Sequence, residues 1–234
     1  MNRVLVRIIQ VAAIIAMPVF LLLSAGHLVI NDWFLHYEYG KPDFPPDPYG
    51  FTQQQRLELA TGSIRFLQRP EPAEIAIQLL VTQRLPGTNK SLFDPNELSH
   101  MMDVKRFTDV LWRVQYGAGL LTLGGLIVLL ASRKTRPDGY RALFGGGAFT
   151  TGLLVFLALF VLLSWRMFFV MFHELFFPPG TWTFDYSTSL IRLYPDRFWF
   201  DAGTLITVGT LLVAIVLTVA GWLLSRRPRS AGQA

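Results

Sequence analysis

The side chains best suited to chemistry are two histidines, one set in a motif dense with carboxylates and the other in a motif dense with aromatic rings. His100 lies in LFDPNELSHMMDVKRFTD and His173 in RMFFVMFHELFFPPG. An imidazole titrates near pH ~6.5, so either ring can take up a proton and return it under physiological conditions. On a helix, His100, Asp103 and Phe107 share one face at spacings of three and four residues. Arg166 and His173 share another, seven residues or nearly two turns apart, with Glu174 beside the second histidine. Arg166 stands in an otherwise apolar stretch, where an ionisable group is costly and is by default a functional residue; the competing reading is that it snorkels to lipid phosphate. His173 is followed by Glu174 but by no second histidine four residues on, unlike the helical zinc-protease motif, so no metal is expected. Cysteine is absent, which removes disulfides, thiolate nucleophiles and cysteine-ligated metals. A nucleophile must then come from a substrate or from histidine. Each histidine alone reads as an interfacial structural residue, and only the pair reads as a site.

The elements that must hold the pair are helices. Asp94 can cap a helix, Pro95 suits its first position, and Glu97 stands three residues after the cap to complete a capping box. No breaker follows before Gly117, so this helix is expected to run without interruption into a membrane span. A second helix is expected from Ala142 to at least Phe172, thirty-odd residues or roughly 45 Å, longer than the hydrocarbon core. If the first enters hydrocarbon near Trp112 and the second leaves it near Leu163, His100 lies 12 residues outside and His173 lies 10. The two rings then sit at similar heights.

Composition supports this membrane setting. The 234 residues are 52% apolar and only 16% charged, where soluble domains carry about 25% charged residues. Four stretches are long and apolar enough to span: 1–30, 111–131, 142–172 and 202–224. The first exceeds the core of a cleavable signal and reads as an anchor. Their flanks hold nine basic residues (Arg3, Arg7, Arg133, Lys134, Arg136, Arg141, Arg226, Arg227, Arg229) and one acid, Asp138. The positive-inside rule makes these flanks, including the 225–234 tail, cytoplasmic. The net charge of +5 is therefore a topology signal, and no nucleic-acid partner is expected. The expected molecule is an all-α, multi-pass protein of the bacterial plasma membrane, with four transmembrane helices and both termini inside.

Two connections then face outside, residues 31–110 and 173–201. The first is far longer than ordinary helix connections and is expected to be a mostly helical extracytoplasmic domain. It opens with HYEYGKPDFPPDPYGF, whose prolines predict an extended segment without regular helix. A helix capped by Thr52 and stopped by Pro70 is expected next, then a short one from Pro72 to Gln83. In the second loop Trp182, Trp199, Tyr186 and Tyr194 fit an interfacial aromatic belt. Such aromatic, proline-rich loops also suit a noncatalytic membrane protein that binds an envelope protein or lipid.

The combination of DPNELSHMMDVK before the second span with FHELFF, WTFD and LIRLYP after the third resembles the bacterial lipoprotein intramolecular transacylase family, over almost the whole chain. The resemblance implies an acyltransferase without cofactor, acting at the outer leaflet on diacylglyceryl-modified lipoproteins among membrane lipid. It would move the sn-2 acyl chain from glycerol to the α-amino group of the N-terminal cysteine, leaving a lyso-form N-acyl lipoprotein. The family's histidines fall on His100 and His173; from their positions in the sequence, Asp103, Arg166 and Glu174 are expected in support and Trp182 and Asp185 of WTFD against substrate.

The chemistry agrees with that implication. An α-amino group with a pKa near 7.7 to 8 is partly neutral at pH 7 and can attack an ester unaided. From nitrogen through Cα, Cβ, sulfur, two glycerol carbons and the ester oxygen to the carbonyl, the ring of attack has eight members. Such rings are poorly populated, so orienting the two ends is work for an enzyme. His100, oriented by Asp103, is assigned as the base, with His173 and Arg166 stabilising the oxyanion. The reverse assignment and a transient acyl-histidine stay open.

Overall fold

The computed structural model describes residues 1–226; most of the expected tail, including Arg227 and Arg229, lies outside the described residues. Helices dominate, and among the described residues there is no strand, only an isolated bridge between Arg84 and Ser91. In chain order they are α1 (Arg3–Val29), α2 (Asp32–Tyr39), α3 (Gln53–Gln68), α4 (Ala73–Ala76), α5 (Gln78–Val81) and α6 (Pro95–Gly119). A π-helical turn, Leu120–Gly124, leads into α7 (Gly125–Ala131), followed by α8 (Arg136–Leu163), α9 (Trp165–Phe176), α10 (Ser189–Leu193) and α11 (Asp196–Ser225). Four helical runs are long and apolar enough to cross a membrane: Arg3–Val29, Pro95–Ala131, Arg136–Leu163 and Asp196–Ser225. The protein is thus an all-α membrane protein with four spanning helices.

The helix expected from Pro72 to Gln83 is two four-residue helices, α4 and α5, and two further expectations change. The proline-rich opening is not wholly irregular, because residues 36–39 complete the last turn of α2 and the chain of turns and bends begins only at Gly40. The helix expected over 142–172 is two helices, broken at Ser164, whose backbone leaves helical geometry at φ −159° and ψ 86°. Its hydroxyl accepts the Met167 N–H at 3.3 Å and caps α9. In a uniformly apolar run that serine carried no hydropathy signal.

The chain forms two compact units. One comprises residues 1–25, 112–160 and the chain from Ile206 onward. Val6, Met17, Leu126, Leu129 and Ala142 make its buried core. Large apolar side chains such as Leu120, Ile127, Phe156 and Val216 are exposed, as a lipid-facing surface requires. Asp138 pairs with Arg3 at 3.5 Å and Arg141 at 3.3 Å, bringing two of the basic flanks together. α8 and α11 touch through glycine: a Cβ on Gly221 would lie 2.4 Å from the Phe144 nitrogen, and one on Gly147 would lie 2.7 Å from the Thr218 nitrogen. Gly221→Leu should therefore lower the thermal midpoint in detergent by roughly 5 °C. Gly152→Ala, where a Cβ meets nothing within 4 Å, should leave it unchanged.

The other unit comprises residues 26–111 and 161–205. Thr52 caps α3 through a capping box, as its sequence predicts. Phe34, Leu35, Tyr39, Phe66, Leu80, Leu193 and Phe198 are its buried core. Tyr39 donates to the Leu193 carbonyl, and Tyr194 donates to that of Ala60 at 3.0 Å. Arg192 pairs with Asp47 at 2.8 Å and lies 3.5 Å over the Phe51 ring. These bonds fasten the 189–201 segment onto α2 and α3.

Candidate active site

The helix carrying His100 begins as its capping box requires. Asp94 Oδ1 accepts the Asn96 and Glu97 N–H groups at 2.7 and 2.9 Å, and Glu97 Oε2 accepts the Asp94 N–H at 2.7 Å. The other oxygen of Glu97 has a longer reach: it accepts the Leu190 N–H at 2.6 Å, 93 residues away in sequence. Ser189 adds a bond from its hydroxyl to the Leu92 carbonyl at 2.5 Å. The start of α10 is thereby clamped to the start of α6, one turn before His100. Glu97 is fully buried, and an amide in its place can accept with only one oxygen. Glu97→Gln should leave a buried N–H unpaired at a cost of about 1 to 3 kcal/mol. Faster proteolysis within residues 177–188, measured against the parent protein, would register the loosened loop.

Three turns up from the apolar half of its helix, among Glu97, Asp103, Lys105, Arg106 and Asp109, the His100 ring is buried. A segment so charged lies outside hydrocarbon. His100 packs against Phe177 and Phe184 at centroid distances of 5.2 and 5.5 Å. The His173 ring stands 6.4 Å away, inclined by 28°. That separation is too long for a direct bond between the rings and short enough for one ester group to touch both. Phe107, two turns beyond His100, stacks on Phe176 at 4.6 Å and meets Phe172 and Phe177. The face of α6 carrying His100 and Phe107 is thus the face that meets α9.

His173 is held by its own helix. Its Nδ1 lies 2.7 Å from the Phe169 carbonyl, one turn back. A carbonyl only accepts, so Nδ1 carries the proton and the neutral ring keeps its free lone pair on Nε2. The ring stacks on Phe169 at 4.1 Å and on Trp182 at 4.9 Å. His36 makes the same bond to the Asp32 carbonyl, but it is exposed and has no such enclosure.

Burial sets the protonation of both rings. It pulls His100 down to about 4, with neighbouring His173 adding to the effect and Asp103 opposing it. Burial also lowers His173, against the opposing bond to the Phe169 carbonyl. Both imidazoles are therefore neutral at pH 7.

The supporting residues fall elsewhere. Asp103 bonds Arg106 at 2.9 Å and does not orient His100, whose buried Nδ1 has no hydrogen-bond partner among the described residues. Three residues after a carboxylate, an arginine on the same helix face competes better than a buried neutral ring. Arg166 and Glu174 are exposed, and neither bonds to a histidine among the described residues. Asp185 is exposed, with its carbonyl accepting from the Thr188 N–H and hydroxyl in a turn. Trp182 does reach the site. Among the described residues no group of three or more histidine and carboxylate side chains gathers as a metal site. Sequence reasoning missed the Phe169 carbonyl, although the four-residue spacing from His173 was visible, and it missed the Glu97 clamp, Phe177 and Phe184, which only the fold reveals.

Comparison with known proteins places this geometry in context. A curated relative from Aquifex aeolicus (strain VF5), described only as an uncharacterized protein, is 28% identical over 215 residues, covering 92% of this chain and 90% of its own. The fold is similar to the membrane integral lipoprotein intramolecular transacylase of Bacillus cereus, with a TM-score of 0.79 at 21% identity, over 95% of this chain and 97% of that one. A single-substitution variant of the same Bacillus cereus protein matches with a TM-score of 0.71 at 20% identity, over 94% of this chain and 92% of that one. The family model for lipoprotein intramolecular transacylases matches residues 11–199, which include both histidines and the loops around them. The chain therefore belongs to the lipoprotein intramolecular transacylase family.

Proposed function

We propose that this protein is a lipoprotein transacylase that moves the sn-2 acyl chain of a diacylglyceryl lipoprotein onto the α-amino group of its N-terminal cysteine. The observation that carries the reading is the pair of neutral imidazoles with ring centroids 6.4 Å apart, His100 buried and His173 half-buried, the latter with its tautomer set by the Phe169 carbonyl. His173 is the base. The neutral amine attacks the ester carbonyl, and the nitrogen–carbon bond forms as the carbonyl oxygen becomes an oxyanion. His173 Nε2 takes the proton from the resulting ammonium and returns it to the glycerol oxygen as the carbon–oxygen bond breaks. The products are an amide and a free 2-hydroxyl group. His100 stays neutral in its buried setting and donates to the developing oxyanion. This reverses the roles expected from helix context alone, because a ring with Nδ1 tied to a carbonyl has its basic nitrogen free.

Phe172, Phe177 and Phe184 lie against the rings, with Phe107 packed behind Phe172 and Phe177, and limit the access of water, which favours attack by the tethered amine over hydrolysis. Trp182 packs on His173 and contacts substrate. Asp185, exposed one residue beyond Phe184, is placed to meet the lipoprotein chain outside the ring pair. The basic flanks support cytoplasmic termini and histidines at the outer face, where lipoprotein acyl chains lie in membrane lipid.

Purified protein in detergent should convert a synthetic diacylglyceryl lipopeptide to its lyso N-acyl form without added cofactor, read by mass spectrometry. Failure to convert would favour a noncatalytic role for the aromatic loops. The pH profile offers a finer check. With both histidines held below the ordinary imidazole value by burial, the substrate amine dominates the titration between pH ~7 and 7.5, so log kcat/KM should rise there with a slope of about one. A second break in the profile at pH ~6.5, with a steeper limb below it, would show a histidine titrating at its ordinary value.

A further inference from the structure

Two buried polar atoms without a hydrogen-bond partner among the described residues flank His173: His100 Nδ1 and Trp182 Nε1. The indole N–H is a donor only, so it calls for an acceptor that the protein does not supply. A buried N–H left unpaired is costly, and native structures hold few of them. Trp182 is not a residue that merely fills space, since its ring stacks on the proposed base at 4.9 Å with an interplanar angle of 34°. The loop that carries it is braced at both ends. Phe177 N–H bonds to the His173 carbonyl at 2.8 Å, and Leu190 N–H bonds to Glu97 at 2.6 Å. The donor is thus held in place before substrate arrives, as transition-state stabilisation by a fixed dipole requires.

We propose that the Trp182 indole N–H is a second oxyanion donor, completing with His100 a two-donor hole for the tetrahedral intermediate. The inference rests on the transacylase reading and assigns Trp182 a catalytic role rather than simple contact. When the amine attacks, the carbonyl oxygen gains the negative charge that pairs with the indole N–H; when the glycerol oxygen leaves, the carbonyl is restored and the bond weakens. No proton leaves the indole.

The test replaces the N–H while keeping the ring. Trp182→Phe, and a variant carrying benzothienylalanine at 182, in which sulfur replaces the indole N–H, should each lower kcat about 10²-fold with KM changed less than about twofold. Binding of a phosphonate analogue of the tetrahedral intermediate should weaken by a similar factor in both. The thermal midpoint of the benzothienylalanine variant should match the parent. If that variant keeps full kcat, the proposal is overturned, while loss of activity in His173→Ala would leave the transacylase reading standing. If substrate and phosphonate binding weaken equally, the indole acts by packing, and the proposal is likewise overturned.

Discussion

Replacing His173 with alanine should lower lyso-lipoprotein formation about 10³-fold while leaving the protein in the membrane, the size expected when a positioned base is removed. The ring does two things that alanine cannot. In the proposed mechanism its Nε2 accepts the ammonium proton, and it sits against Trp182 and Phe169 so that the lone pair has a defined direction. Glutamine in its place should not rescue, because an amide does not take up a proton at neutral pH. The measurement is kcat on a synthetic diacylglyceryl lipopeptide, with the thermal midpoint as a control for folding. A variant that folds normally and retains more than about a tenth of the activity would mean that His173 is not the base.

His100→Ala should cost about 10²- to 10³-fold in kcat, the effect of losing one donor to the oxyanion. Its response to conservative replacement should differ from that of His173. A neutral imidazole that works by donating can be imitated by an amide N–H, so His100→Gln should recover a measurable part of the loss. Rescue of this kind at position 100 and not at 173 separates donor from base. Equal rescue at both positions would undo the assignment of roles. His100 is also buried, so part of any loss in the alanine variant reflects a cavity between Phe177 and Phe184. The glutamine variant keeps most of that volume and controls for it.

The parts of the fold that were legible in the sequence were those governed by local physics. Apolar stretches long enough for a bilayer marked four spans, and DPNE marked the start of α6, because an Asp cap, a Pro and a Glu three residues on satisfy the same few backbone groups wherever they occur. The break at Ser164 was hidden, since a single hydroxyl in an apolar run leaves hydropathy almost unchanged while capping a new helix. That break changes how His173 is held: its helix is α9, and its height cannot be counted along one helix from Leu163.

For the candidate site, His100 and His173 could be picked out by residue type and spacing, and the structure brings their rings to 6.4 Å; the contacts around each ring could not be read in the same way. Asp103 looked like the orienting carboxylate until Arg106 claimed it. The Phe169 carbonyl, which settles the tautomer of His173, is a backbone group with no identity of its own in sequence. The Glu97 bond to Leu190 and the stacking of Trp182 on His173 depend on how the outer segments close, and local propensity says nothing about closures of that length. Glu97 illustrates the limit well, because its capping role was visible and its second bond was not.

The central claim is that the acyl chain moves within one lipoprotein molecule, from the glycerol sn-2 oxygen to the α-amino group. A crossover experiment tests it most directly. One synthetic lipopeptide carries heavy isotopes in both its sn-2 acyl chain and its peptide, a second carries neither, and the purified protein is given an equal mixture. Mass spectrometry of the lyso products should show only heavy acyl on heavy peptide and light on light. Products that pair heavy acyl with light peptide in statistical proportion would contradict intramolecular transfer.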